Sequence, residues 1–269
     1  MYREDMMIEA SAKIVFNREV NPETFLMGLK SAAIAREARP GQFVMVRVGS
    51  GMDPLLRRPF SVFGIEGDIF LILYRVVGRG TAVMADCREG ERLSVLGPLG
   101  RGFEMPDAGF NALLVGGGMG VAPLFFLARK LGKGKFMMGF GTSREVIRPD
   151  LKGALQVDVS IATDDGTEGH PGFVTDLLED ALGKTPREKA DLQIFACGPM
   201  AMLKKVAAKA MHHDIPCQAS LEASMACGLG ACQGCAVPAS PREKKAYFHV
   251  CQDGPVFPAD RLDWDKLAV

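Results

Sequence analysis

Four of the seven cysteines fall into one group, Cys227-x4-Cys232-x2-Cys235-x15-Cys251. Three thiols come from a single tight loop and the fourth from a later segment. Clustered thiolates are soft metal ligands, and the C-x4-C-x2-C…C spacing is one that ligates a [2Fe-2S] cluster. Such a cluster concentrates negative charge, which backbone N–H groups relieve when they reach the sulfurs. Gly228, Gly230 and Gly234, with Ala226, Ala231 and Ala236, allow the chain to wrap that closely. The alternative is zinc, which favours two short cysteine pairs. Here only one C-x2-C pair exists and Cys251 stands alone. No secretory signal opens the chain, so a disulfide framework is disfavoured. Cys87, Cys197 and Cys217 lie apart and read, by default, as small apolar core residues.

Two further stretches could hold a ligand. "RRPFSV" (57–62) orders arginine, proline, an aromatic and serine: a charge for a diphosphate, an extended segment, a ring and a hydroxyl for a flavin. "YRVVGRGT" (74–81) adds Gly78 and Gly80, which permit close backbone approach, and the hydroxyl of Thr81. Both also fit a plain strand followed by a turn. "GGGMGVAP" (116–123) follows an apolar strand and opens a helix, the context in which free N–H groups meet a pyrophosphate. It departs from G-x-G-x-x-G, because Pro123 takes the third place, and no acid follows at the usual interval of about 20 residues. "CGPMAM" (197–202) repeats the strand–turn–helix device. Cys197 is expected at a strand's carboxyl end, as a buried thiol or beside a nicotinamide.

The elements that position these motifs divide into three zones. Residues 1–106 read as short strands, among them "GQFVMVRV", "DIFLILYRVV" and "ERLSVLG", with no long 3.6-residue period; this predicts a small antiparallel β-barrel or sandwich. Residues 107–215 alternate strand and helix, predicting an open, mostly parallel α/β sheet. In "APLFFLARKLG", Pro123 suits the first helical turn and Gly132 the stop. Residues 216–269 carry the cysteine group and little regular structure, with "ASPREKK" as an exposed loop.

The chain has 269 residues, 48% of them hydrophobic, enough for about two domains with real cores. Lys plus Arg and Asp plus Glu each total 32, a balance that gives no sign of a nucleic-acid or anionic-membrane partner. The most apolar stretch, "IFLILYRVV", is far shorter than the ~20 residues of a spanning helix. A soluble, cytoplasmic protein is expected. His170, His212, His213 and His249 are scattered and form no catalytic arrangement.

The order "RRPFSV", "GRGT", "GGGMGVAP", "CGPMAM" and four cysteines resembles the ferredoxin–NADP reductase superfamily. "SLEASMACGLGACQGCAV", "TDDGTEGHPGFVTDLL" and "VCQDGPVF" are similar, more closely, to the electron-transfer subunits of class 1B dihydroorotate dehydrogenases. The likeness spans nearly the whole chain. It implies an FAD domain over 1–106, an NAD domain over 107–215 and a [2Fe-2S] domain over 216–269. It implies FAD contacts from Arg58, Pro59, Phe60, Ser61, Leu73, Tyr74, Arg75, Gly80 and Thr81, and cluster ligation by Cys227, Cys232, Cys235 and Cys251. Gly117, Gly118, Gly120, Cys197, Gly198 and Pro199 are the expected NAD contacts. The implied partner is a separate catalytic subunit with FMN that oxidises dihydroorotate, two copies of each chain assembling together. NAD takes a hydride and a cluster passes single electrons, so a flavin must stand between them; no acid–base residue is needed on this chain. Arg144 and Arg148 are expected near the ribose side, or as plain surface charges. Relatives often carry a basic residue where Ser224 stands, which bears on cluster tuning or docking. Two rival functions are a subunit of an NAD(P)H–ferredoxin oxidoreductase or hydrogenase complex, and a zinc-stapled nucleotide-binding module without redox chemistry.

Overall fold

The computed structural model describes residues 8–49, 51, 53–105, 109–148, 155–183 and 191–267. Its first part is a closed antiparallel barrel. The strands are β1 (Ile8–Asn21), β2 (Thr24–Lys30), β3 (Phe43–Arg47), β4 (Arg58–Glu66), β5 (Ile69–Arg75) and β6 (Arg92–Leu99), closing in the order β1-β2-β5-β4-β3-β6. Closure removes the free edges that an open sheet would expose. β-Branched and aliphatic side chains, including Ile14, Val44, Val46 and Ile72, fill the interior. Two short helices interrupt this zone, α1 (Ala32–Glu37) and α2 (Arg79–Ala85). α2 begins inside the glycine stretch that the sequence reads as a turn.

The second part is a seven-stranded sheet. β7 (Asn111–Gly117) runs into α3 (Val121–Leu131), β8 (Lys135–Phe140) and β9 (Asp158–Thr163). β10 (His170–Pro171), α4 (Val174–Gly183), β11 (Leu192–Cys197) and α5 (Met200–His212) follow. The strand order β10-β9-β8-β7-β11 is parallel throughout and reverses direction of growth between β7 and β11. Alternation along β7 serves both faces. Ala112 and Leu114 pack with α3, whereas Leu113 and Val115 pack with α4 and α5. Gly132 ends α3 in the left-handed conformation (φ 64°), with its N–H on the Ala128 carbonyl, as a glycine helix stop does.

The last part is stitched into the sheet. β12 (Cys217–Ser220) extends it beside β11, and β15 (Val256–Pro258) lies antiparallel on β12. Between them sit the cysteine loop and the hairpin of β13 (Ala236–Pro238) and β14 (Tyr247–His249). Barrel and sheet meet through Phe63 and Phe125, whose ring centroids are 5.1 Å apart, and through Asn21, whose side-chain amide donates to the Val146 carbonyl at 2.8 Å. Among the described residues no helix is long and apolar enough to cross a membrane.

Candidate functional site

The cysteine loop is shaped by backbone that glycine alone adopts freely. Gly228 and Gly230 have φ of +73° and +76°, and this curls the chain so that amides face sulfur. The Cys227 thiol accepts from the N–H of Leu229 (3.3 Å) and of Cys232 (3.4 Å), and the Cys251 thiol from Gly230 N–H (3.1 Å). Cys235 and Cys251 are buried with sulfurs 3.2 Å apart; Cys232 is exposed and pairs with the half-buried Cys227. No three His, Cys, Asp or Glu side chains among the described residues converge on one ion position. Two thiol pairs suit a two-iron cluster, with two thiolates to each iron, better than one tetrahedral zinc ion. Burial would raise the Cys227 thiol, yet donation from Leu229, Cys232 and Ala231 outweighs it and brings it down to about 6. Burial and the adjoining Cys235 thiol push Cys251 up to about 12. Cys251 therefore ionises when metal charge arrives, releasing its proton.

A cavity of about 310 Å³ opens where barrel, sheet and cysteine segment meet. Of the expected flavin contacts, Pro59, Phe60, Ser61, Leu73, Tyr74, Arg75 and Thr81 line it. Tyr74 stacks on Phe25 (5.6 Å) and meets Phe60 edge-on (5.8 Å). Its hydroxyl donates to Asn17 Oδ1 at 3.0 Å, and the Asn17 amide donates to the carbonyls of Met84, Ala85 and Cys87 at the end of α2. Arg75 Nε is buried without an acceptor, an orphaned donor of the kind a bound anion satisfies. The two arginines of "RRPFSV" part company. Arg57 turns into the barrel seam, onto the Ser94 carbonyl and hydroxyl and Glu9. Arg58 lies against Gly80, where an added methyl group would strike the guanidinium. Neither Arg58 nor Gly80 lines the cavity itself. The Thr81 hydroxyl is engaged within its own turn, accepting from the N–H of Val77 (2.9 Å) and Gly78 (3.2 Å).

Cys197 lines this same cavity, with Glu222 and Met225 from the cysteine segment. Burial, then the Glu222 charge, holds the Cys197 thiol far above its ordinary value, so it stays neutral. The Glu222 side chain is reached by solvent through the opening but is crowded by protein on its other sides, and this raises its carboxyl. Sequence reasoning missed Glu222; "SLEAS" carries no spacing signal for it.

A second cavity, about 370 Å³, lies at the carboxyl ends of β7, β8 and β9, the crevice where open α/β sheets bind ligands. Gly117, Gly118 and Pro199 line it. Gly120 instead lets two turns cross, since a methyl group there would collide with the Cys197 carbonyl, and Gly198 lies against the Gly117 backbone. Arg144 and Arg148 are not among the lining residues; Arg148 pairs with Glu168. The acid missing from the glycine motif is present in space. Glu145, on the turn after β8, faces the cavity, as does Asp164 after β9.

Comparison with known proteins agrees with this geometry. A family model, the iron–sulfur cluster binding domain of dihydroorotate dehydrogenase B, matches residues 222–263, which hold all four grouped cysteines. The dihydroorotate dehydrogenase B (NAD(+)) electron transfer subunit of Desulforamulus reducens is 36% identical over 260 residues, covering 94% of this chain and 98% of its own. Its counterpart in Bacillus pumilus is 39% identical over 264 residues, covering 95% and 98%. Among solved structures, an NADH-dependent reduced ferredoxin-NADP oxidoreductase studied for flavin-based electron bifurcation superposes with a TM-score of 0.83 at 30% identity, over 96% of this chain and 91% of that one. A ferredoxin reductase of carbazole 1,9a-dioxygenase shares the fold at 22% identity, with a TM-score of 0.66 over 78% and 67%. The chain belongs to the family of dihydroorotate dehydrogenase B electron transfer subunits.

Proposed function

We propose that this chain is the electron-transfer subunit of an NAD-dependent dihydroorotate dehydrogenase in pyrimidine biosynthesis, joining the FMN of a separate catalytic subunit to NAD through a [2Fe-2S] cluster and FAD. One observation carries the reading: the first cavity is walled by all three parts of the chain. Ser61 and Tyr74 come from the barrel, Met119 and Cys197 from the sheet, and Glu222 and Met225 from the segment that reaches Cys227 two residues later. A flavin supplies the exchange between hydride and single-electron transfer. The residues present fit one: an aromatic and apolar wall, the orphaned Arg75 donor, and a neutral Cys197 facing inward. Catalysis by this chain is positioning, and the Tyr74–Asn17 link holds ring and helix in register for it.

In this reading Cys227, Cys232, Cys235 and Cys251 hold the cluster, and Arg58 and Gly80 border the flavin's phosphate side. Gly117, Gly118 and Pro199 contact the nucleotide, while Gly120 and Gly198 shape its turn. The division at 106/107 and 215/216 is a functional one; the first boundary falls at residues outside those described, and β12 and β15 join the last part to the sheet. The complex is cytoplasmic, with two copies of each subunit. Anaerobic purification with co-purifying chains tests this: the expected partner contains FMN and turns over dihydroorotate. A second reading, an NAD(P)H–ferredoxin oxidoreductase subunit, is favoured by the likeness to the bifurcating enzyme. A ferredoxin-linked partner without dihydroorotate activity would establish it instead.

A further inference from the structure

One ion pair joins the two cavities. Asn21, Thr24 and Arg75 are register partners across β1, β2 and β5, and this end of the barrel meets the turn that follows β8. The Asn21 amide donates to the Val146 carbonyl at 2.8 Å, and Arg75 Nη1 lies 3.9 Å from one carboxylate oxygen of the preceding residue, Glu145. The other oxygen of Glu145 accepts from Gly141 N–H at 3.0 Å, so the turn is braced from within. Arg75 lines the first cavity and Glu145 the second. The pair therefore runs from one ligand site to the other, across the seam between barrel and sheet. It is long, its side chains are 31% and 40% exposed, and Arg75 Nε is buried with no acceptor. Each partner holds the other loosely and keeps capacity for a ligand.

We propose that the Arg75–Glu145 pair couples the two cavities, so that flavin and nucleotide each tighten the binding of the other. The inference rests on the proposed function, with a flavin in the first cavity and a nucleotide in the second. Without ligands, guanidinium and carboxylate neutralise one another. An anionic flavin draws Arg75 to itself and leaves Glu145 free; a nucleotide hydroxyl that donates to Glu145 leaves Arg75 free. Whichever ligand arrives first breaks the pair, and the second finds its partner already released. The coupling therefore equals the worth of the pair. For a partly exposed pair that is a factor of roughly two to five, and linkage requires the same factor in both directions. The sign is diagnostic, because plain repulsion between two anionic ligands in neighbouring cavities would make each weaken the other.

The test is the dissociation constant of FAD, read from free-flavin fluorescence as the purified, oxidised holoprotein is diluted to equilibrium, with and without saturating ADP-ribose. ADP-ribose carries the phosphates and ribose hydroxyls of the nucleotide and has no nicotinamide to cover the flavin ring. It should tighten FAD about threefold in the wild type. Glu145→Gln keeps an acceptor for Gly141 N–H and loses the charge; there the FAD constant should ignore ADP-ribose that equilibrium dialysis shows to be bound. Equal tightening in both proteins overturns the link. So does a wild-type constant that stays level or weakens while ADP-ribose is bound. A wild-type protein that binds no ADP-ribose, or carries no flavin, overturns the reading of the cavities and the link with it. A second measurement needs no variant. Rising ionic strength should shrink the tightening in the wild type, because salt screens the pair; tightening that salt leaves unchanged overturns the proposal.

Discussion

Replacing Gly228 by alanine probes whether backbone shape, beyond cysteine spacing, holds the cluster loop. Gly228 sits at φ +73°, where an L-side chain is strained by about 1–2 kcal/mol. Its added methyl group would lie 2.7 Å from Met45 Cγ, 3.1 Å from Met45 Sδ and 3.4 Å from Leu99 Cδ1. Methionine is flexible and yields, which adds about 1 kcal/mol rather than a full clash. The sum, ~2–3 kcal/mol, corresponds to roughly thirty- to hundredfold weaker closure of the loop on its cluster. Gly234 is the internal control. It is not in the left-handed region, and a methyl group there meets only Cys232 Sγ, at 3.8 Å; the cost should be about 0.5 kcal/mol or less. Iron content and visible absorbance per flavin, and the rate of cluster loss to a chelator, report the difference. If Gly228→Ala keeps its cluster as well as Gly234→Ala does, the reasoning from backbone geometry is wrong.

Other outcomes follow from the cavity walls. Tyr74→Phe removes the hydroxyl that Asn17 accepts, and should lower stability by about 1–2 kcal/mol while leaving the ring stacking intact; thermal unfolding measures it, and an unchanged midpoint rejects the link. Gly120→Ala presses a methyl group onto the rigid Cys197 carbonyl, so it should cost about 3 kcal/mol or more and weaken nucleotide binding, measured by titration with NADH; a silent substitution would mean the two turns are not in contact. Because crowding raises the Glu222 carboxyl, the folded flavin-free protein holds that proton more tightly than the unfolded chain. Its stability should therefore fall as pH rises from the ordinary glutamate value to the raised one, and Glu222→Gln should remove that slope. Urea midpoints of the two proteins that run parallel across this window would refute the shift.

The sequence was most informative where chemistry is local. Ligand spacing in Cys227–Cys235 is a property of one loop, and with Cys251 from beyond the β13–β14 hairpin it survives into two thiol pairs lined by amides. Helix α3 was legible because Pro123 and Gly132 punctuate a strong apolar face. Helices α1 and α2 were not, because six or seven residues complete too few turns for a period to show. The role of Thr81 was half legible: its hydroxyl serves the turn it begins, a local competition that spacing does not reveal. What escaped altogether depends on residues distant in sequence. Glu145 shares a cavity with the Gly117–Gly118 turn only because β8 lies beside β7, and β15 joins the sheet only by pairing with β12, across the whole cysteine loop. Glu222 escaped for the same reason: it matters through Cys197 and Ser61, which come from two other parts of the chain.

The central claim is that the cysteine group is the entry through which this chain exchanges electrons with a partner's flavin. Its most direct test is dihydroorotate-driven formation of NADH by the complex, with wild-type chain and with Cys232→Ser. The wild type should form NADH. The variant should lose that activity and its cluster absorbance, keep its flavin, and leave the partner's own oxidation of dihydroorotate by a dye intact. NADH formation that persists in Cys232→Ser without a cluster would contradict the account.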